Sequence, residues 1–131
     1  MKYTYPAIFT PENDGMFSVD FPDLEGCHTC GDNITNALVM AEDALCLVLY
    51  DYEINKKDLP QPTNVNDIIH NKDEFVTLVK CDTDSYRRFY KNKVVKKTLT
   101  IPEWLNEEAM MNGINFSHVL QEALMNALEI K

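Results

Sequence analysis

A chain of 131 residues has room for one modest domain and a small appendage, and 45% hydrophobic with 25% charged residues is ordinary for a folded globular protein. With 12 basic and 21 acidic side chains the net charge is −9, which taken alone argues against a nucleic-acid partner. No apolar stretch approaches membrane-spanning length, and the start Met1-Lys2-Tyr3-Thr4-Tyr5-Pro6 lacks a signal-peptide core, so a cytoplasmic protein without membrane contact is expected.

In chain order, Tyr3 to Thr10 reads as a strand, Glu12-Asn13-Asp14-Gly15 as a turn, and Met16 to Phe21 as a second strand with Phe17, Val19 and Phe21 on one face. The loop Phe21-Pro22-Asp23-Leu24-Glu25-Gly26 leads to a short strand at Cys27 to Cys30. A long helix follows from about Ile34 to Tyr52, its inner stripe built by Ile34, Ala37, Leu38, Ala41, Leu45, Val48, Leu49 and Tyr52. After the loop Lys57-Asp58-Leu59-Pro60-Gln61-Pro62, Phe75 to Lys80 is a nearly apolar strand. The order is β-β-β-α-β, a meander covered on one side by the helix.

Residues 82–93 are polar and basic and read as a linker, so the expected division is 1–81, 82–93 and 94–131. Beyond it, Val94 to Ile101 alternates as a strand, with Val95, Leu99 and Ile101 on one face and Lys96, Thr98 and Thr100 on the other. Pro102 suits the start of a helix carrying Trp104, Leu105 and Ala109 inward, and Gly113 suits its left-handed end. Asn115 caps a second helix in which Phe116, Val119, Leu120, Ala123, Leu124, Ala127 and Leu128 share a face.

One strand and two amphipathic helices in this order look like a ribbon-helix-helix DNA-binding module. Such a unit cannot bury its apolar faces alone, so two copies must intertwine and pair their strands into a ribbon for the major groove. The expected dimer core is Leu99, Ile101, Trp104, Leu105, Leu120, Leu124 and Leu128. Lys96, Lys97, Thr98 and Thr100 are the expected DNA contacts from the ribbon. Asn115 and Ser117, at the second helix's N-terminus, are the expected phosphate site. Charge agrees with this division: residues 1–81 hold 5 basic and 14 acidic side chains, whereas residues 82–131 hold 7 of each. The run Arg87, Arg88, Lys91, Lys93, Lys96 and Lys97 contains no acid and adjoins the strand that would approach phosphates.

Tyr5-Pro6-Ala7-Ile8-Phe9, the Asp14-Gly15 turn, Phe17-Ser18-Val19 and Phe21-Pro22-Asp23-Leu24-Glu25-Gly26-Cys27-His28-Thr29 together resemble the N-terminal signature of HicB antitoxins. Gly31-Asp32, Ala41-Glu42-Asp43-Ala44-Leu45 and the tail Lys96-Lys97-Thr98-Leu99-Thr100-Ile101-Pro102-Glu103-Trp104-Leu105-Asn106 extend the likeness to the ribbon-helix-helix subgroup. Asn36 departs from it, standing where a capping Glu is usual and weakening the box from Asn33. The resemblance implies an α+β protein. It further implies that a partial RNase H-like N-terminal domain would neutralise a small RNA-cleaving HicA toxin and that the C-terminal domain would repress the shared operon as a homodimer or higher oligomer. An acidic domain suits a phosphate-binding toxin, with Asp20, Asp23 and Glu25 as charged contacts, Glu42 and Asp43 as alternatives, and Phe9 and Leu24 as apolar anchors.

Enzymatic readings are weaker. Tyr3 to Thr10 contains no carboxylate of the kind a two-metal nuclease places on its first strand, and His28, His70 and His118 share no triad spacing with Ser or Asp. Cys27-His28-Thr29-Cys30 lacks the second ligand pair of a convincing zinc site, so no metal or cofactor is expected and four reduced thiols are the default. The alternative retained is a stand-alone regulator that senses a ligand or metal through Cys27, His28 and Cys30.

Overall fold

The computed structural model describes residues 1–130, which separate into two compact units, one ending at Lys93 and one beginning at Val94. The first unit holds β1 (Lys2–Pro11), β2 (Phe17–Asp20), β3 (His28–Gly31), α1 (Ile34–Ile54), β4 (Phe75–Asp82) and α2 (Thr83–Tyr90). The strands form an antiparallel sheet in the order β3-β2-β1-β4, so the last strand returns to the first and β1 joins β2 to β4, pairing with β4 over Lys2–Phe9 and with β2 over Ile8–Pro11. Pro6 is tolerated there because β2 pairs with β1 only from Ile8 onward, so its missing N–H breaks no bond on that side.

α1 covers one face of the sheet. Tyr5, Ala7 and Phe9 of β1, Val19 of β2, and Val79 and Cys81 of β4 are buried with Ala37, Ala41, Leu45, Cys46 and Leu49 of the helix. The expected stripe is therefore present in its middle, while Ile34 and Leu38 near the helix start stay exposed. Small residues permit the close approach. A Cβ at Gly31 would collide with the backbone of Ala37, so only glycine fits where β3 meets α1. Asn33 caps α1 by accepting from the Asn36 amide at 2.8 Å, and the Asn36 side chain in turn accepts from the Asp32 amide at 2.9 Å. The residue that weakened the expected capping box thus closes a related loop one residue earlier.

Residues 82–93, read as a basic linker, are mostly helical. Asp82 caps α2 by accepting from the amide of Asp84 at 3.0 Å, Asp84 sits in the first turn, and Arg87 and Arg88 sit in the last, matching the helix dipole at both ends. Thr83 is buried and donates to Glu53 of α1 at 3.0 Å, and Tyr86 packs on Tyr50 with ring centroids 5.8 Å apart. The helix is tied to α1, so the first compact unit continues to Lys93.

Glu53 also accepts from the Tyr3 hydroxyl at 2.7 Å. Burial, with that hydrogen bond and the charge of Glu53, pushes the Tyr3 hydroxyl up to about 12 from its ordinary 10.0. The folded state therefore holds this proton after the unfolded chain has lost it. Its contribution is complete below pH 10 and is lost as the pH rises toward 12. Tyr3→Phe is expected to flatten that part of the stability profile, measured by denaturant unfolding across the alkaline range.

A buried disulfide joins Cys46 of α1 to Cys81 of β4, with Cα atoms 5.5 Å apart. Four reduced thiols were expected from a cytoplasmic setting, but the fold brings two cysteines 35 residues apart to bridging distance.

The second unit contains α3 (Glu103–Met111) and α4 (Phe116–Ala127). Gly113 lies at φ +66°. Its amide donates to Met110 at 3.1 Å and the Ile114 amide donates to Ala109 at 3.0 Å, the paired bonds of a Schellman closure at the expected glycine. Asn115 caps α4, accepting from the His118 amide at 3.1 Å. Residues 94–101, expected as a strand, form no regular element in the single chain. An isolated strand has no partner for its backbone groups, so extended pairing needs a second edge.

Candidate functional site

Two surfaces carry the residues singled out by the sequence. On the first unit, the sheet face opposite α1 is left open. Cross-strand partners Ile8 and Asp20, Thr10 and Ser18, Ser18 and Cys30, and Asp20 and His28 share this face because opposed residues in a ladder point the same way. Thr10, Ser18, Asp20, His28 and Cys30 border a shallow, open hollow of about 360 Å³. Val76 and the largely exposed Leu78 extend the face along β4 with apolar surface.

Asp20 and Glu25 are exposed, as contact residues must be. Asp23 is different: its carboxylate accepts from the Thr63 amide at 2.9 Å and from the Thr63 hydroxyl, which fastens the loop after α1 to the loop after β2. Phe9 and Leu24, expected as apolar anchors for a partner, are both buried in the core. Phe9 stacks on Phe75 at 5.2 Å, and Leu24 is enclosed because the Phe21–Cys27 loop closes on itself through backbone bonds. Among the apolar residues that are exposed instead are Leu78 on the sheet and Val39 and Leu47 on α1, none of which the sequence singled out. Glu42 and Asp43 are exposed on α1.

The Cys27-x-x-Cys30 pair does not converge. Cys27 is buried, and burial together with the charge of Asp20 pushes its thiol up to about 11, whereas Cys30 is exposed beside His28 on the open face. Among the described residues no three His, Cys, Asp or Glu side chains are placed to hold a metal ion, so the set required by the sensing alternative is not assembled.

In the second unit, Lys96, Lys97, Thr98 and Thr100 are all exposed, as is Ser117 in the first turn of α4. Asn115 has committed its side-chain oxygen to the helix cap. More telling is the state of the apolar residues. No described residue from 94 to 130 is buried. Leu99, Ile101, Trp104, Leu105, Leu124 and Leu128 are all exposed, Trp104 by 62%, and Leu120 is half-buried. The two helices and the segment before them thus carry apolar side chains but have no core of their own.

Comparison with known proteins gives the family. A model described as the HicB-like antitoxin of bacterial toxin–antitoxin systems matches residues 5–123. An uncharacterized 14.9 kDa protein from the rep-hol intergenic region of Haemophilus phage HP1 is 28% identical over 104 residues, covering 77% of this chain and 74% of that protein. Antitoxin HicB of Escherichia coli K12 is 33% identical over 66 residues, covering 48% of this chain and 47% of that protein. Among solved structures, a toxin–antitoxin complex from Streptococcus pneumoniae contains a chain that superposes with a TM-score of 0.61 at 29% identity, over 97% of this chain and 99% of that one. The antitoxin HicB of Burkholderia pseudomallei shares the fold with a TM-score of 0.53 at 17% identity, over 96% and 98% of the two chains. The chain belongs to the HicB-like antitoxin family of bacterial toxin–antitoxin systems, and is an antitoxin rather than an enzyme.

Proposed function

We propose that residues 1–93 bind and neutralise a small HicA-type RNA-cleaving toxin, and that residues 94–131 pair with a second copy to repress the operon by binding its DNA. The observation that carries the second half is the absence of any buried residue among 94–130 despite a full apolar side. An intertwined homodimer supplies the missing core, and it also supplies the partner strand that residues 94–101 lack in one chain. The paired strands then form the ribbon of a ribbon-helix-helix domain. From it Lys96, Thr98 and Thr100 face base edges while Lys97 and the α4 N-terminus, at Asn115 and Ser117, hold phosphate.

The first half rests on charge. The first 81 residues carry 14 acidic and 5 basic side chains, with no basic residue between Lys2 and Lys56. A toxin that grips RNA phosphates is basic, so an acidic surface attracts it and competes with its substrate. Asp20 and Glu25 are the charged contacts, and the open sheet face with Leu78 provides the apolar ground between strands and partner. Asp23 takes the supporting role of holding the neighbouring loop. The sheet-and-helix unit serves here as a partial RNase H-like scaffold without its carboxylates.

Both halves are tested on the full chain. Reversing charge at Asp20 and Glu25 together is expected to slow toxin association and blunt its salt dependence while leaving operator binding unchanged. Thr98→Ala is expected to weaken operator binding by about 1–3 kcal/mol at fixed salt and to leave toxin binding unchanged. Stopped-flow association and fluorescence anisotropy read the two. A Thr98→Ala protein with wild-type affinity and sequence preference removes the ribbon from the reading role.

A further inference from the structure

The aromatic side chains around α2 have no place in the scheme above. Tyr50 of α1 and Tyr86, Tyr90 and Phe89 of α2 form a chain of ring contacts, with centroids 5.8 Å, 4.7 Å and 4.8 Å apart in that order. The inner end is fixed, since Tyr86 is half-buried against α1. The outer end is open: Tyr90 is 53% and Phe89 72% exposed. Two large rings held out in water on an anchored helix amount to an unsatisfied contact surface.

The charges beside the rings select the occupant. Arg87 is committed to Asp84 at 3.0 Å, but Arg88, Lys91 and Lys93 are exposed and make no ion pair among the described residues. They are the one cluster of cations on a unit that is otherwise strongly acidic. A basic protein is repelled from this patch, and an anionic ligand is drawn to it. Phosphate alone makes no use of exposed rings, and a duplex keeps its base faces stacked inside. A single strand offers both a charged backbone and free base faces, which aromatic rings and arginine take up by stacking.

We propose that the exposed C-terminal turn of α2, carrying Arg88, Phe89 and Tyr90, with Lys91 and Lys93 just beyond it, binds single-stranded nucleic acid. Unpaired bases stack on Phe89 and Tyr90, and the three cations follow the phosphates. The inference is independent of the duplex contacts proposed for residues 94–131 and of the toxin interface.

The test is fluorescence anisotropy of the full chain with a labelled oligouridylate of about 12 nucleotides, a span that covers such a site. An oligothymidylate of the same length forms a second arm, showing whether the sugar matters. Saturable binding is expected, with duplex DNA of equal length a poor competitor. Phe89→Leu combined with Tyr90→Leu keeps the apolar surface and removes the rings, and is expected to weaken binding about tenfold or more. Phe89→Trp is expected to retain it within about twofold because the stacking face is kept. Far-UV circular dichroism establishes that each variant is folded. Absence of saturable binding, equal competition by duplex, or wild-type affinity in the leucine pair overturns the proposal. So does a leucine pair that binds the oligonucleotide normally but loses the toxin, which assigns the face to a protein partner instead.

Discussion

Leu124→Ala is expected to split the pair of chains, lowering dimer affinity by the equivalent of about 2–5 kcal/mol, roughly thirtyfold to several thousandfold. The expectation follows from where Leu124 lies. In one chain it is 51% exposed on α4, so truncating it would cost a monomeric unit little. In an interlocked pair the same side chain enters a shared core with Leu99, Ile101, Trp104, Leu105, Leu120 and Leu128, and its removal leaves a cavity lined by both copies. The distinction makes Leu124 a sharper probe than Leu120, which is already half-buried in the single chain and would report on local packing as well. Sedimentation over a concentration series measures the effect. Operator binding is expected to fall with it, because a lone module reaches only half a two-fold site. A wild-type chain that sediments as a monomer at micromolar concentration removes the dimer and the ribbon together.

Reduction of the Cys46–Cys81 bridge is expected to be the largest single loss of stability in the first unit. The bridge closes a loop between cysteines 35 residues apart, for which chain entropy alone gives about 4 kcal/mol, and loss of native bridges typically costs about 2–5 kcal/mol. In a unit of this size that corresponds to a fall in Tm on the order of 10 °C or more. The location adds to the effect. α1 and β4 are far apart in sequence, and α2 follows directly from β4, so the bridge also steadies the platform on which Tyr86 packs. Calorimetry with and without a reductant provides the measurement, with a Cys46→Ala, Cys81→Ala chain as control. The double variant is expected to melt near the reduced wild type and to ignore reductant. Thiol titration of the denatured, unreduced protein is expected to find Cys27 and Cys30 alone. Four reactive thiols, or a melting temperature indifferent to reductant, contradicts the bridge.

Several elements were readable before folding because their signals are local. The four strands and the long helix of β-β-β-α-β order follow from period-two and period-3.6 patterning, and the observed strands and helix coincide with the expected ones to within a few residues. Gly113 and Asn115 announced a helix end and a helix start through backbone conformation and capping chemistry, which depend on a handful of neighbouring residues. α2 carried a legible signal as well, in Asp82, Asp84 and the terminal arginines, but its run of cations dominated the reading and suggested a linker.

What the chain determined by itself is therefore its local grammar and its charge. Alternation, capping and glycine placement set the elements, and the excess of carboxylates over cations sets the charge of the first 81 residues. Tertiary structure alone decided which side of each element faces inward. Phe9 and Leu24 are as apolar in sequence as any surface anchor, yet β1 lies mid-sheet under α1 and the Phe21–Cys27 loop folds onto itself, so both disappear into the core. Cys46 and Cys81 meet only because β4 crosses back beside β1 beneath the helix, a pairing that no local spacing encodes. The apolar residues of 94–130 show the converse: their pattern is plain in sequence, but a single chain offers nothing to bury them.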